Sequence, residues 1–447
     1  MGLATFIGGI HPYEGKELSE DKPIKVLEPL QGEIMVYPLS QHIGAPAKPL
    51  VAKGDHVLKG QIIAEAGGFI SANVLSSVSG TVKGIESKLV ANGAMVQSIL
   101  VENDGEEEAI EGFGTDRDAT KLSKEEIRKI VKDAGIVGLG GAGFPTNVKL
   151  SPKNEDAIEY ILINGAECEP YLTSDYRCMM EDPEKIIGGL KVVLQLFDKA
   201  KGVIGIENNK PEAIKKLKEL VKDEPRIEVC ELLTKYPQGG ERSLIYAITG
   251  RKVNSSMLPA DAGCIVDNIA TVIAIYDAVC KTTPLIERVF TVTGDAIADP
   301  RNFRIKIGTN TQELIEAAGG FKSEPEKVIS GGPMMGFAMF DLDVPVIKTN
   351  GSVLCMTKDQ VAASVETPCI RCGKCVSACP SHIVPVMMMK AALKGDCDTF
   401  EKLNGMECME CGSCTFVCPA KRPLTQAFKE MRKTVAANRR KKAQGGK

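Results

Sequence analysis

The 447 residues carry 55 basic and 58 acidic side chains, a net charge of −3, with 43% hydrophobic and 25% charged residues. That balance is ordinary for globular domains, is long enough for several cores, and includes no run approaching the roughly 18 apolar residues of a membrane span. It gives no reason to expect a nucleic-acid partner, and the opening "MGLATFIGGIHPYEG" lacks the basic-then-apolar pattern of a secretory signal. A cytoplasmic setting follows, in which 15 cysteines are expected as thiols or metal ligands and not as disulfides.

Along the chain, "VAKGDHVLKGQIIAE" and "SSVSGTVKGI" read as short strand-turn segments with Gly-Asp and Ser-Gly turns, and the region 31–101 resembles a lipoyl or biotinyl barrel-sandwich. Such carriers attach their cofactor to a hairpin lysine. The intervening "GGFISANV" has none, so a structural or docking role is expected. The acidic "ENDGEEEAIEGFGTDRD" reads as a linker or exposed arm.

"SKEEIRKIVKDAG" predicts a helix capped by Ser123 and Glu126 and ended by Gly135. Next comes "GLGGAGFP", in which Gly138, Gly140 and Gly143 have the G-x-G-x-x-G spacing of a dinucleotide fingerprint. That fingerprint must follow a strand and open a helix, whereas this loop follows a helix and precedes the probable buried strand Tyr160 to Ile163. Its physical content survives: successive glycines expose backbone N–H groups to an anion such as a phosphate, Phe144 offers a ring for stacking, and Lys149 a cation nearby. A plain glycine turn is the alternative.

"RVFTVTGDAIADPRNFRIKIGTNTQELIEAAGG" runs from strands into a helix from Thr311 to Gly319, and the glycines of the following "ISGGPMMG" are read as a turn near the preceding domain. Then "CIRCGKCVSACP" and "CMECGSCTFVCP" place Cys369, Cys372, Cys375 and Cys379, and Cys408, Cys411, Cys414 and Cys418, in two C-x2-C-x2-C-x3-C-P runs offset by 39 residues. The first three thiolates of such a run hold one cubane and the fourth ligates the other, so two 4Fe-4S clusters are predicted, each taking three cysteines from one run and one from its repeat. Zinc or disulfides have no use for that repeated ending. Helical spacing between the runs predicts helices. The other seven cysteines, Cys168, Cys178, Cys230, Cys264, Cys280, Cys355 and Cys397, read as core or loop residues, and His11, His42, His56 and His382 fall in no motif. Residues 429–447 hold eight Lys/Arg and one acid, leaving 47 basic against 57 acidic residues elsewhere. A solvated disordered tail is the plain reading; attraction to anionic lipid or an acidic partner is the other.

"GLGGAGFPTNVKL", "NGAECEP", "YPQGGE" and "VDNIAT" together are similar to the flavin- and NADH-binding subunit of respiratory complex I, and residues 1 to 430 as a whole resemble the RnfC family, from the Rnf complex, a membrane-attached ferredoxin:NAD oxidoreductase. The resemblance implies a multidomain α/β chain: barrel-sandwich hybrid (1–115), FMN/NADH-binding α/β domain (116–285), small β-grasp soluble-ligand-binding domain (286–355), helical dicluster ferredoxin domain (356–430) and basic tail (431–447). It implies that Gly140, Gly141, Gly143 and Lys149 cradle the FMN phosphate and ribityl chain. Asn164, Glu167, Tyr236, Gly239, Gly240 and Asn268 would face the flavin ring, and Phe144, Glu169 and Glu241 would engage the nicotinamide nucleotide. Two departures stand out: Ala166 replaces an Asp of the complex I pattern, and Gly240 the first Glu of its G-E-E. No proton-transferring catalytic side chain is expected. The implied function is hydride exchange between NAD(H) and FMN with single-electron relay through both clusters, on the cytoplasmic face of a membrane complex whose other subunits, and indirectly ferredoxin, are its partners. The diaphorase subunit of a soluble bifurcating hydrogenase or formate dehydrogenase is one alternative, and a cluster-bearing docking subunit with a decayed nucleotide site is another.

Overall fold

Residues 2–445 are described by the computed structural model. Strands Ile34–Pro38, Met95–Asn103, Gly80–Leu89 and His56–Val57 form one antiparallel sheet, and Lys48–Pro49, Ile62–Glu65 and Val74–Leu75 a second. Their alternate inward residues, among them Met35, Tyr37, Ile63, Val82, Ile99 and Val101, close a core of their own, giving the expected barrel-sandwich.

The α/β domain is built on four parallel strands in the order Ile227–Leu232, Lys201–Glu207, Tyr160–Gly165, Cys264–Asn268. Both faces of the two inner strands are covered, and Tyr160–Gly165 and Lys201–Glu207 carry the apolar cores Ile161–Ile163 and Val203–Ile206. Ile161 and Ile163 face a large core shared with helices Pro183–Leu194 and Ile269–Cys280, while Leu162 packs on the opposite side with Leu244 and Ile245 of helix Glu241–Thr249. The predicted first helix spans Lys124–Asp133 with the Ser123/Glu126 capping box in place, and Gly135 leaves it at φ 65°.

A six-stranded mixed sheet follows, ordered Lys25–Leu27, Arg301–Lys306, Glu287–Thr293, Ser352–Met356, Lys327–Ser330, Phe337–Met339, with helix Thr311–Ala317 packed against it. Its first strand comes from ahead of the barrel-sandwich. The C-terminal domain is helical, as the spacing predicts: Pro385–Leu393 and Cys397–Lys402 lie between the cysteine runs, and Phe400 packs near Phe428 with ring centroids 6.1 Å apart.

The basic stretch read as a disordered tail is corrected by this structure. Through residue 445 it continues helix Leu424–Gly445, whose Met431 and Val435 are buried in the dicluster core and whose Arg432 and Arg439 pair with Glu410 and Glu401. Apolar residues spaced along one face of this otherwise charged segment supply the docking energy that a charge count does not reveal.

Candidate functional site

In chain order the four parallel strands occupy the positions 3-2-1-4. The strand order therefore reverses between Tyr160–Gly165 and Cys264–Asn268, and the crevice beyond the carboxyl ends of such a pair is where doubly wound sheets bind ligands. Asn164 and Glu167 leave the first of these strands; Asp267 and Asn268 end the second. The glycine loop, although it precedes the sheet, folds back onto this crevice. A Cβ on Gly140 would stand 2.8 Å from Asn268 Cγ, and the Leu139 N–H donates to Thr271 Oγ1 at 3.0 Å, tying the loop to the next helix.

The Gly138 N–H donates to the Phe144 carbonyl at 2.9 Å and closes the loop. Among the described residues, the N–H groups of Gly140 to Gly143 have no acceptor, and Gly141 opens onto free space. Successive unengaged N–H groups make an anion cradle, so the loop fits a phosphate. Gly143, at φ 70°, is pressed from outside the domain, since a Cβ there would overlap Thr349 and stand 3.1 Å from His42 Cα. Phe144 is half-buried at the loop's end. Lys149 Nζ donates to the Val266 carbonyl at 2.7 Å and to Asp267 Oδ1 at 2.9 Å; the other Asp267 oxygen is buried without a partner. Glu241 opens helix Glu241–Thr249 with its side chain exposed, within electrostatic range of Lys149.

The "NGAECEP" turn carries the remaining carboxylates. Glu167, at φ 47°, accepts the N–H groups of Asp175 at 2.7 Å and Tyr176 at 3.3 Å, capping helix Ser174–Glu181; burial raises its carboxyl to about 7. Asp175 in turn accepts from Asn268 Nδ2 at 2.6 Å, which links the two strand ends. Asn164 Nδ2 donates to the Gly239 carbonyl at 2.8 Å. The Gly239 N–H meets Cys168 Sγ at 3.2 Å, and burial holds that thiol up at about 12, so Cys168 is a neutral contact at the site. Glu169 accepts N–H groups from Met334 at 2.7 Å and Met335 at 3.1 Å. A Cβ on Gly332 would overlap Glu169, which is why the "GGPMMG" turn begins with glycines and confirms its placement beside this domain.

Tyr236 is buried and its hydroxyl donates to the Cys411 carbonyl at 2.7 Å, joining the crevice to the second cysteine run. A Cβ on Gly240 would stand 2.9 Å from Met409 Cε of that run, so the dicluster domain packs against this position. At the other departure, the Ala166 carbonyl accepts from the buried Lys210 at 2.7 Å.

The cysteine runs share one backbone. Arg371 and Glu410 both have φ 57°, Gly373 and Gly412 φ 77° and 82°, His382 and Lys421 φ 53° and 52°, each pair 39 residues apart. In both runs the N–H two residues after the first cysteine donates to its sulfur, at 3.4 Å for Cys369 and for Cys408. Cys379 lies among Cys408, Cys411 and Cys414, while Cys418 stands beside Cys375. Tight turns that direct N–H groups at sulfur, with Cys379 brought to the second run's thiols and Cys418 to Cys375, suit the cysteines of cubane clusters. Cys369 and Cys372 are exposed, whereas Cys411 and Cys414 are buried.

Comparison with known proteins accords with this architecture. Residues 4–106 match the RnfC barrel sandwich hybrid domain, 131–277 the Nuo51 FMN-binding domain, 289–338 the SLBB domain and 368–421 the 4Fe-4S dicluster domain. The chain is 45% identical to the C subunit of the proton-translocating ferredoxin:NAD(+) oxidoreductase complex of Clostridium ljungdahlii, over 99% of this chain and 96% of that one. This chain belongs to the RnfC family of ion-translocating ferredoxin:NAD(+) oxidoreductase complexes. The RnfC relative from Acetobacterium woodii, whose complex is named as Na(+)-translocating, is also 45% identical, over 98% of both chains. A fold likeness extends to an NAD+-reducing [NiFe]-hydrogenase, with a TM-score of 0.50 and 20% identity over 65% of this RnfC chain and 55% of the hydrogenase chain.

Among the site residues, sequence reasoning missed Asp267, Asp175, Lys16 and the Met334–Met335 amides. Asp267 lies within the quoted "VDNIAT", and its adjacency to Asn268 was the available signal. The others carry no motif.

Proposed function

We propose that this chain exchanges electrons between NAD(H) and the remaining subunits of a ferredoxin:NAD oxidoreductase complex, through FMN in the crevice and two 4Fe-4S clusters. The observation that supports this most is the Tyr236 hydroxyl on the Cys411 carbonyl, which puts the crevice and one cysteine group in direct contact. When bound, FMN supplies the conversion between a two-electron hydride and single electrons, and the clusters relay those electrons.

The chain's own residues bind and orient. The N–H groups of Gly140, Gly141 and Gly143 take the phosphate, and Lys149 offsets negative charge under the loop. Asn164, Glu167, Tyr236, Gly239, Gly240 and Asn268 shape the wall toward the flavin ring. Phe144, Glu169 and Glu241 meet the nucleotide, with Glu169 exchanging its Met334 and Met335 amides for it. Cys379, Cys408, Cys411 and Cys414 hold the cluster next to the crevice. Cys369, Cys372, Cys375 and Cys418 hold the one nearer the surface, which faces the acceptor subunit. The units are bounded at about residues 115, 285, 355 and 430, except that Lys25–Leu27 joins the β-grasp sheet and the last helix runs on through residue 445. No helix among the described residues is long and apolar enough to cross a membrane. Attachment to the cytoplasmic face would therefore come through partner subunits, with ferredoxin reached through them.

Anaerobic titration of the reconstituted chain with NADH tests the reading: flavin and cluster absorbance should bleach together. Bound flavin that NADH cannot reduce would overturn it. Phe144→Ala and Glu169→Gln should impair NADH reduction more than FMN retention.

A further inference from the structure

The matched flavin domain begins at residue 131, yet a segment from the extreme N-terminus reaches into its crevice. Ala4 bridges to Leu232 and Ile10 to Tyr236, carrying the chain across the carboxyl ends of the strands. The next residues grip the turn that bears Glu167 and Glu169. The Tyr171 N–H donates to the Glu14 carbonyl at 2.6 Å, a Cβ on Gly15 would overlap the Tyr171 ring, and Tyr13 meets that ring edge-on at 6.1 Å. Lys16, only 5% exposed, donates from Nζ to the Leu172 carbonyl at 2.5 Å and the Glu169 carbonyl at 3.2 Å, and stands 3.9 Å from Glu167 Oε2.

The gripped turn is one that does not hold itself. Glu167 and Tyr171 both lie at positive φ, 47° and 69°, and neither is glycine. Such a residue is strained and persists only where its surroundings over-determine it. Lys16 meets that need with charge as well as geometry. It faces Glu167, with Glu169, Asp175 and Glu207 at greater range and the like-charged Lys210 beyond, and it draws the buried carboxyls back toward their ionised form.

We infer that Lys16 is a positioning residue for Glu167 and Glu169, making the N-terminal segment a working part of the flavin and nucleotide site. This rests on the assignment of those carboxylates above. The test uses the full chain, reconstituted anaerobically, with Lys16→Met, Lys16→Arg and Glu169→Gln. In Lys16→Met, hydrogen exchange at the Asp175 and Tyr176 amides should quicken about tenfold, with the dicluster helices unchanged. The KM for NADH should rise about tenfold with kcat within about threefold, the scale of losing a charge-assisted hydrogen bond. Lys16→Arg, which keeps the charge, should recover most of both effects. Should Lys16→Met fail to fold, Lys16→Gln gives the same comparison. Unchanged exchange and KM in the uncharged variant, or no recovery by Arg, would overturn the inference. An unchanged KM in Glu169→Gln would instead overturn the underlying site assignment.

Discussion

The cysteine module and the crevice proposed for the flavin would hold their redox groups by opposite means. Each cysteine run places three thiols within seven residues and repeats its own backbone 39 residues later, down to matching left-handed turns. The crevice draws on Lys16, Gly140, Glu167, Tyr236, Asn268 and Met334, which come from all parts of the first three-quarters of the chain. A locally encoded site leans little on the rest of the fold, whereas a site assembled from distant segments depends on the contacts between domains.

The comparison is tested most severely at Cys379, which sits in the first run but lies among the thiols of the second. Cys379→Ala and Cys408→Ala should abolish the same cluster, each leaving about four of eight irons by iron counting and removing the same electron paramagnetic resonance signal. Loss of different signals would mean that each run holds its own cluster.

Next in size is the crevice pair. Lys149→Met leaves the buried Asp267 without its cation and should cost about 3 kcal/mol in chemical denaturation, with loss of FMN. Adding Asp267→Asn should restore most of the stability and none of the flavin binding. At the glycine loop, Gly143→Ala should cost about 2 kcal/mol, because its φ of 70° and the overlap with Thr349 both oppose a Cβ. Gly141→Ala, which opens onto free space, should cost no more than about 0.5 kcal/mol.

A pH series probes the junction that presses on that loop. Lys348 is buried, donates to the Asn73 and Gly135 carbonyls at 2.6 and 2.7 Å, and burial lowers its pKa to about 7. Above that pH the folded lysine is neutral while the unfolded one stays protonated up to about 10.4, so its contribution to stability should rise with pH across this window. The slope should be at most about 1.4 kcal/mol per pH unit, and Lys348→Met should flatten it. In Tyr236→Phe, losing the bond to the Cys411 carbonyl should lower stability by about 1 kcal/mol. A larger loss of electron transfer than of stability there would mark Tyr236 as part of the route between the two sites.

Much of the fold was legible because its signals are local. The Ser123/Glu126 cap, the buried Tyr160–Gly165 strand and the Thr311 helix start were each visible in a few residues. The G-x-G-x-x-G spacing was misleading in its usual sense, since a helix precedes it. The loop nonetheless lies at the switch point of a 3-2-1-4 sheet, the same kind of crevice reached from the other direction. The two departures from the complex I pattern were unreadable alone. Gly240 lies against the Met409 side chain of the dicluster domain, and nothing in the structure explains Ala166 in place of Asp.

By itself, then, the sequence determined where the thiols gather, the order of the domains and which residues surround the glycine loop, since short spacing fixes which side chains can converge on one group. The crossing of the fourth cysteine between runs was already read from the spacing; tertiary structure decided which cysteine group meets the crevice, and which carboxylates are held by Lys16 and by the Met334–Met335 turn. Those contacts join residues more than 100 positions apart, and only the burial of separate apolar cores against one another brings them within hydrogen-bonding distance.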